Sequence, residues 1–129
     1  MKYLHPILRE AEAWYQQHKD YNCRDHWDCK IRQLALVGDG YINYIASDFL
    51  YHTNPHQRFN QIIDQLTSNN SMSQWVKEKH LFDSVTNPGK GKKTLADLFE
   101  AYLGYCVISG QEYKAKKFAR YYCSEQMKR

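Results

Sequence analysis

Residues 31–50 limit the possible fold of this chain more than any other segment. They place apolar side chains on nearly every side of a helix, and the first clear interruption comes at residues 51–55. Such a helix is typical of the centre of a domain. Because a chain of 129 residues cannot easily cover all its sides, we expect it to pack against its own domain and against a second copy of the chain.

Three further stretches carry apolar residues at the spacing of amphipathic helices. The three stripes are Ile7, Leu8, Ala11, Trp14 and Tyr15; Phe59, Ile62, Ile63 and Leu66; and Leu95, Leu98, Phe99, Tyr102, Cys106 and Val107. No segment alternates apolar and polar residues in a sustained way, and only three prolines and six glycines interrupt the chain. The sequence therefore predicts an all-α fold, with a single domain over residues 1–129.

Polar residues and glycines predict where the shorter helices begin and end. Ser71 and Gln74 have the spacing of a capping box, which predicts a short helix that ends near residue 80. Thr94 is the predicted cap of a helix that starts at residue 95, after a predicted loop at residues 87–91. Gly110 separates that helix from a last one, which runs towards residue 127.

Composition excludes several classes of protein. No stretch approaches the roughly 20 apolar residues of a membrane span, and residues 1–14 lack the apolar segment of a signal peptide. The four cysteines need not form disulfides, so we expect reduced thiols and a location in the cytoplasm or the nucleus. Cys23, His26 and Cys29 offer ligands for Zn²⁺, but their spacing fits no common zinc module, and ordinary loop residues are the better interpretation.

The net charge of +4 is concentrated in the last third of the chain. Residues 90–129 contain nine basic and four acidic residues, whereas residues 1–89 contain nine basic and ten acidic ones. A clustered basic surface favours polyanions such as nucleic acid, although a solvated helix face has the same pattern. The candidate polyanion-binding residues are Lys90, Lys92, Lys93, Lys114, Lys116, Lys117 and Arg120.

Three acidic residues lie where a carboxylate is costly. Asp39 interrupts the apolar segment, and Asp97 and Glu100 share one face of the predicted helix at 95–107, beside the small residues Ala101 and Gly104. If Asp39 packs on that face, three carboxylates converge and destabilise the fold unless a cation binds between them. Mg²⁺ suits such oxygen ligands.

Each of these three acidic residues also has an ordinary structural explanation. Asp97, three residues after the predicted cap Thr94, has the position of a residue that stabilises the positive end of a helix dipole. Glu100 fits a surface position, and Asp39 fits an internal hydrogen-bond acceptor between two glycines.

Four motifs occur in the order and spacing of one family. Residues 36–42 (Leu-Val-Gly-Asp-Gly-Tyr-Ile), followed by Ser47, Leu50 and Tyr51, resemble the signature helix of the ribonuclease III family. Residues 66–69 (Leu-Thr-Ser-Asn) resemble its leucine-serine-asparagine segment. Residues 89–92 and 95–104 are similar to its second acidic motif, so the match extends over about residues 30 to 110.

The resemblance implies a helical catalytic domain that forms a homodimer and cleaves double-stranded RNA. It also implies a site for Mg²⁺ (or Mn²⁺), at which Asp39, Asp97 and Glu100 fit three of four acidic ligand positions. The fourth position falls on Ala35, and a further acidic position of the signature falls on Arg32.

The resemblance favours a metal-dependent endoribonuclease in which a metal-bound water attacks the phosphodiester. The alternatives are an inactive ribonuclease III-like domain that binds structured RNA or scaffolds a ribonucleoprotein, and a helical interaction domain without a role in RNA. Many members of the family carry a separate domain for double-stranded RNA, and no residues after 127 would encode one. We therefore expect this domain to hold RNA itself, through the basic last third, unless the chain is a fragment of a longer protein.

Overall fold

In a computed structural model, the protein is a bundle of α-helices. The structure describes residues 5–18, 24–53, 58–83 and 91–128, with their side chains except at 24–29 and 91–94. The helices are α1 (Pro6–His18), α2 (Arg24–Thr53), α3 (Phe59–Leu66), α4 (Asn69–Glu78), α5 (Gly91–Ile108) and α6 (Glu112–Met127). None of the described residues forms a β-strand, and the predicted all-α fold is confirmed.

Helix α5 is the central element of the bundle, and its residues 98–104 are all buried. One of its faces packs on α6, where the rings of Phe99 and Tyr102 lie 5.3 and 5.0 Å from the ring of Phe118. The other face contacts the backbone of α2 at Gly104. Burial on all sides, predicted for residues 31–50, is therefore found in α5 instead.

Helix α2 is buried on one side only, which corrects the prediction for residues 31–50. Its buried positions follow helical spacing and are Ile31, Leu34, Ala35, Gly38, Ile42, Ile45, Ala46 and Leu50. The opposite side is open: Leu36 is 75% exposed, and Tyr44 and Tyr51 are exposed as well. Apolar content alone did not reveal this division, because exposed Leu and Tyr residues occupy the side that faces away from the domain.

An aromatic cluster joins α4, α5 and α6. The indole of Trp75 meets Phe99, Phe118 and Tyr122 edge to face, with ring centroids 5.8, 5.6 and 5.1 Å away. Its Nε1 donates a hydrogen bond of 2.9 Å to Glu125, and the hydroxyl of Tyr122 donates one of 2.6 Å to the carbonyl of Leu66. Large rings whose polar atoms are satisfied in this way contribute strongly to stability.

Two predicted helix starts are wrong, and both helices begin earlier. Helix α4 begins at Asn69, and its cap is Ser68, whose hydroxyl accepts from the N–H of Ser71. Helix α5 begins at Gly91, so Thr94 lies inside it and does not cap it. In both cases the helix begins two or three residues before a residue whose type also suits a cap.

The predicted break at Gly110 is confirmed. Gly110 has a φ of 79°, and the N–H groups of Gly110 and Gln111 donate to the carbonyls of Val107 and Cys106. This is a Schellman motif, in which a left-handed residue, usually glycine, ends a helix. The chain then reverses into α6.

Helix α1 fastens the turn that follows α4. His80 and Phe82 both have a φ of 58°, a region that residues other than glycine rarely adopt. The N–H of Phe82 donates a hydrogen bond of 2.8 Å to the carboxylate of Glu12, which lies 70 residues earlier. The Phe82 ring is fully buried and packs against Trp14 and Tyr15. Contacts with α1 therefore hold this strained turn in place.

Candidate active site

The candidate site lies where α2 crosses α5 with their backbones in contact. A Cβ atom at Gly38 would overlap the carbonyl oxygen of Glu100, and a Cβ atom at Gly104 would overlap the carbonyl oxygen of Leu34. The crossing therefore requires glycine at both positions. It brings Asp39, the residue after Gly38, next to the acidic face of α5.

Asp39 and Glu100 are in direct contact at this crossing. Glu100 is only 6% exposed. Burial, a hydrogen bond with Asp39, and the negative charges of Asp39 and Asp97 together raise its pKa to about 9. At neutral pH without a cation, Glu100 therefore keeps a proton that a free glutamate would lose. The crossing thus holds a carboxyl group where water stabilises its charged form poorly.

The structure decides between the explanations for two of the three acidic residues. Glu100 is not a surface residue, and Asp39, expected in an apolar interior, is exposed on α2. Asp97 is half-buried and lies in the second turn of α5, because the helix begins at Gly91. It is therefore further from the helix dipole end than the sequence predicts.

Comparisons with known proteins agree with this geometry. The family model described as "Ribonuclease III domain" matches residues 32–111, which include the crossing and all three carboxylates. The chain belongs to the ribonuclease III domain family. The protein named "Ribonuclease 3" from Enterococcus faecalis is 30% identical over 98 residues, covering 67% of this chain and 42% of that protein. This chain thus matches less than half the length of that relative. No solved structure matches this chain.

This ribonuclease III domain has donor atoms that fit a hard divalent cation. Members of the family are generally dependent on divalent metals, and carboxylate oxygens are the ligands that Mg²⁺ prefers. Asp39 and Glu100, which are in contact at the crossing, would supply such oxygen atoms. Among the described residues, however, no group of three His, Cys, Asp or Glu side chains surrounds one point closely enough to hold an ion.

The fourth acidic position of the family pattern is filled by a residue without a ligand atom. Ala35 is 7% exposed and lies one turn before Asp39 on α2. Arg32, at the further acidic position, is exposed. The ribonuclease III domain therefore has three carboxylates at its crossing. Where the family pattern has a fourth carboxylate, this chain has the methyl group of Ala35.

The four basic candidates on α6 are not brought to the carboxylates. Lys114, Lys116, Lys117 and Arg120 lie on α6, and Lys114 is 4.0 Å from Glu10 of α1. Helix α6 packs on the side of α5 opposite to its acidic face. Lys90, and the side chains of Lys92 and Lys93, lie outside the described residues.

Gly38 is the site residue that sequence reasoning missed. It was interpreted with Gly40 as a flexible neighbour of Asp39, but a Cβ atom at Gly40 would meet nothing within 4 Å. Gly38 lies on the buried side of α2, one turn after Leu34, and the sequence alone does not show which side of α2 is buried. Ala101 and Gly104 were predicted to allow close helix packing, and both are fully enclosed.

The remaining chemical groups do not add to this site. Cys106 and Cys123 are free, buried thiols. Of the residues weighed as zinc ligands and interpreted as ordinary loop residues, Cys23 and the side chains of His26 and Cys29 lie outside the described residues. Within the described part of the chain, no helix has both the length and the apolar character to cross a membrane.

Proposed function

We propose that this ribonuclease III domain is a divalent-metal-dependent endoribonuclease that cleaves double-stranded RNA as a homodimer. The observation that carries the proposal is the contact between Asp39 and Glu100 at the crossing, one helical turn from Asp97. Converging carboxylates, one of them buried, reduce the stability of a fold unless a cation compensates them. The family membership of the chain supports the same reaction.

Asp39, Asp97 and Glu100 are the residues that would hold Mg²⁺ or Mn²⁺ through their oxygen atoms. The bound ion supplies an activated water and neutralises charge on the scissile phosphate. Glu100 must release its proton to become a ligand, so ion binding is expected to strengthen as the pH rises. Asp39 is exposed and reaches the solvent from which an RNA backbone approaches. None of the three carboxylates needs to act as a nucleophile.

The homodimer is supported by the open side of α2. Leu36, Tyr44 and Tyr51 project from the same side of the helix and are exposed. An apolar helix side that its own domain leaves uncovered suits a symmetric interface with a second copy. Sedimentation at micromolar protein is expected to show a dimer, which Leu36→Lys weakens. Ile108→Lys, at an exposed apolar residue of α5, is the matched control.

RNA binding is proposed for Lys90, Lys92, Lys93, Lys114, Lys116, Lys117 and Arg120. The support is their charge, together with the exposure of Lys116, Lys117 and Arg120. Recognition through phosphates and duplex shape is expected, because the major groove of A-form RNA hides its bases from side chains. We also propose a location in the cytoplasm or the nucleus, supported by the free thiols of Cys106 and Cys123.

A second candidate function is supported by Ala35. A ribonuclease III-like domain that lacks one acidic ligand fits a catalytically inactive protein that binds structured RNA or scaffolds a ribonucleoprotein. The absence of a three-residue metal cluster among the described residues supports the same alternative.

The deciding experiment is incubation with long duplex RNA in Mg²⁺, in Mn²⁺ and in chelator. The proposed enzyme cleaves in either metal and not in chelator. Ala35→Glu would add a fourth carboxylate on the turn before Asp39, and it is expected to increase cleavage most at low Mg²⁺. Ala13→Glu, the same change at an exposed residue of α1, is the control. If only Ala35→Glu cleaves, the native domain is a degenerate nuclease and the second candidate is correct.

A further inference from the structure

The outer side of α6 carries a basic surface that the candidate active site does not use. Tyr113, Lys116, Lys117 and Arg120 are exposed and share one side of the helix; we call these four residues the α6 basic face. Of the two glutamates of α6, Glu125 projects from another side of the helix, and Glu112 borders this face, four residues before Lys116. The four residues of the α6 basic face themselves include no carboxylate.

The positive charges of this face have no counterions within the described part of the chain. Other lysines nearby do: Lys79 lies 2.6 Å from Glu125, and Lys114 lies 4.0 Å from Glu10. No ion pair among the described residues includes a cation of the α6 basic face. Like charges three and four residues apart destabilise a helix, so a polyanion bound here would relieve an existing repulsion.

The α6 basic face and the carboxylates point to opposite sides of the domain. On α5, Phe99 and Tyr102 face α6, whereas Glu100 and Gly104 face α2. Because α6 turns its basic face away from α5, the two surfaces are separated by the thickness of two helices, about 20 Å. We therefore expect that a single duplex segment lying across the carboxylates does not reach the α6 basic face of the same protomer.

We propose that the α6 basic face binds a second segment of duplex RNA, separate from the segment that is cut at the carboxylates. The choice of RNA as the polyanion rests on the proposed function. The chemistry suits phosphate contacts without sequence preference, because lysine, arginine and tyrosine side chains all bind backbone phosphates. The Lys117 ammonium lies 5.9 Å from the centroid of the Tyr113 ring, which places the phenol beside the charges. The protein would then hold an RNA by two duplexes and cut one of them.

Binding in chelator tests the surface without any need for cleavage. The triple variant K116Q/K117Q/R120Q is compared with K30Q/R58Q/K77Q, which removes two lysines and one arginine at exposed positions elsewhere. Each phosphate contact contributes a slope of about 0.9 to the salt dependence of log K. Raising the salt from 50 to 200 mM should therefore weaken binding by the native protein roughly 40-fold more than binding by K116Q/K117Q/R120Q. Circular dichroism checks that each variant keeps its helices, and equal losses of affinity in the two triple variants would overturn the proposal.

Cleavage in Mg²⁺ tests whether the duplex segment bound at the α6 basic face differs from the segment that is cut. Two substrates are used, an isolated short duplex and two such duplexes joined by a single-stranded linker. The variant K116Q/K117Q/R120Q should lose more of its kcat/KM on the joined substrate than on the isolated duplex. An equal loss on both would mean that the α6 basic face holds the segment being cut, which contradicts the proposal. If the native protein cleaves neither RNA, the proposed nuclease function fails, and the binding measurement alone decides this inference.

Discussion

The two faces of α5 make opposite contributions to the molecule. Phe99 and Tyr102 pack into aromatic rings, and their burial stabilises the fold. Half a turn away, Glu100 is buried at a crossing that admits only glycine from α2, beside the charge of Asp97. Burying that carboxylate costs stability. One face of α5 thus stabilises the fold, and the opposite face carries the proposed chemistry. Substitutions on the two faces should therefore have opposite effects.

The largest effect is expected from Asp97→Asn on the acidic face. If Asp97 helps to hold the metal, this change should reduce cleavage of duplex RNA by roughly 100-fold or more. Without metal, stability should stay unchanged or rise, because the substitution relieves carboxylate repulsion. Asp64→Asn, at an exposed residue of α3, is the control of equal charge change. Cleavage by Asp97→Asn at the native rate would show that the metal-site hypothesis is wrong.

On the aromatic face, Phe99→Ala should mainly affect stability. Removing a buried ring that contacts Trp75 and Phe118 is expected to cost about 3–5 kcal/mol in urea unfolding. Phe99→Leu should cost less, because it keeps much of the buried volume. The cleavage rate per folded molecule should change far less than in Asp97→Asn. A loss of cleavage as large as that of Asp97→Asn, in a folded protein, would remove the distinction between the two faces.

The glycine crossing offers a comparison within one turn of α2. Gly38→Ala should destabilise the protein by about 1–3 kcal/mol, because its Cβ would overlap the backbone of Glu100. Gly40→Ala should stabilise it by about 0.5–1 kcal/mol, because its Cβ points into open space and alanine favours a helix. Thermal unfolding of both variants measures the difference. Similar effects at the two positions would contradict the close approach of α2 and α5.

The pH dependence that Glu100 causes is spread over several pH units. Its pKa is raised to about 9 in the folded protein, well above the ordinary value of a glutamate in the unfolded chain. Between these values the folded state binds a proton that the unfolded state lacks, so in chelator stability falls as the pH rises. Across this window the fall is about 1.4 kcal/mol per pH unit at most, and Glu100→Gln should remove it. Glu112→Gln, at an exposed residue of α6, should leave it in place.

The sequence predicts the helices well where one side is apolar and the other polar. The stripes of α1, α3 and α5 and the break at Gly110 all agree with the structure. Helix ends were predicted less well, because Ser71 and Thr94 have the residue types of caps and yet lie within helices. Side-chain type alone does not show which of two nearby residues satisfies the first free N–H groups.

The site was predicted in part, for a similar reason. Spacing places Asp97 and Glu100 on one face, Asp39 stands out because it interrupts an apolar segment, and the family pattern includes all three. The burial of Glu100 and the role of Gly38 depend on how α2 crosses α5, which is a tertiary arrangement with no signal in local spacing. The separation of the α6 basic face from the carboxylates depends on the same arrangement. Charge counted along the chain does not show on which side of a bundle it lies.

The hydrogen bond between Glu12 and the N–H of Phe82 has a consequence for synthesis of the protein. Its two partners are 70 residues apart, so α1 leaves the ribosome long before the turn that it fastens. At translation rates of about 5–20 residues per second, this interval is roughly 4–14 s. During that time Trp14 and Tyr15 have no Phe82 ring to pack against. Helix α1 therefore acquires these native contacts only after the turn has been made, and the nascent chain carries exposed aromatic surface until then.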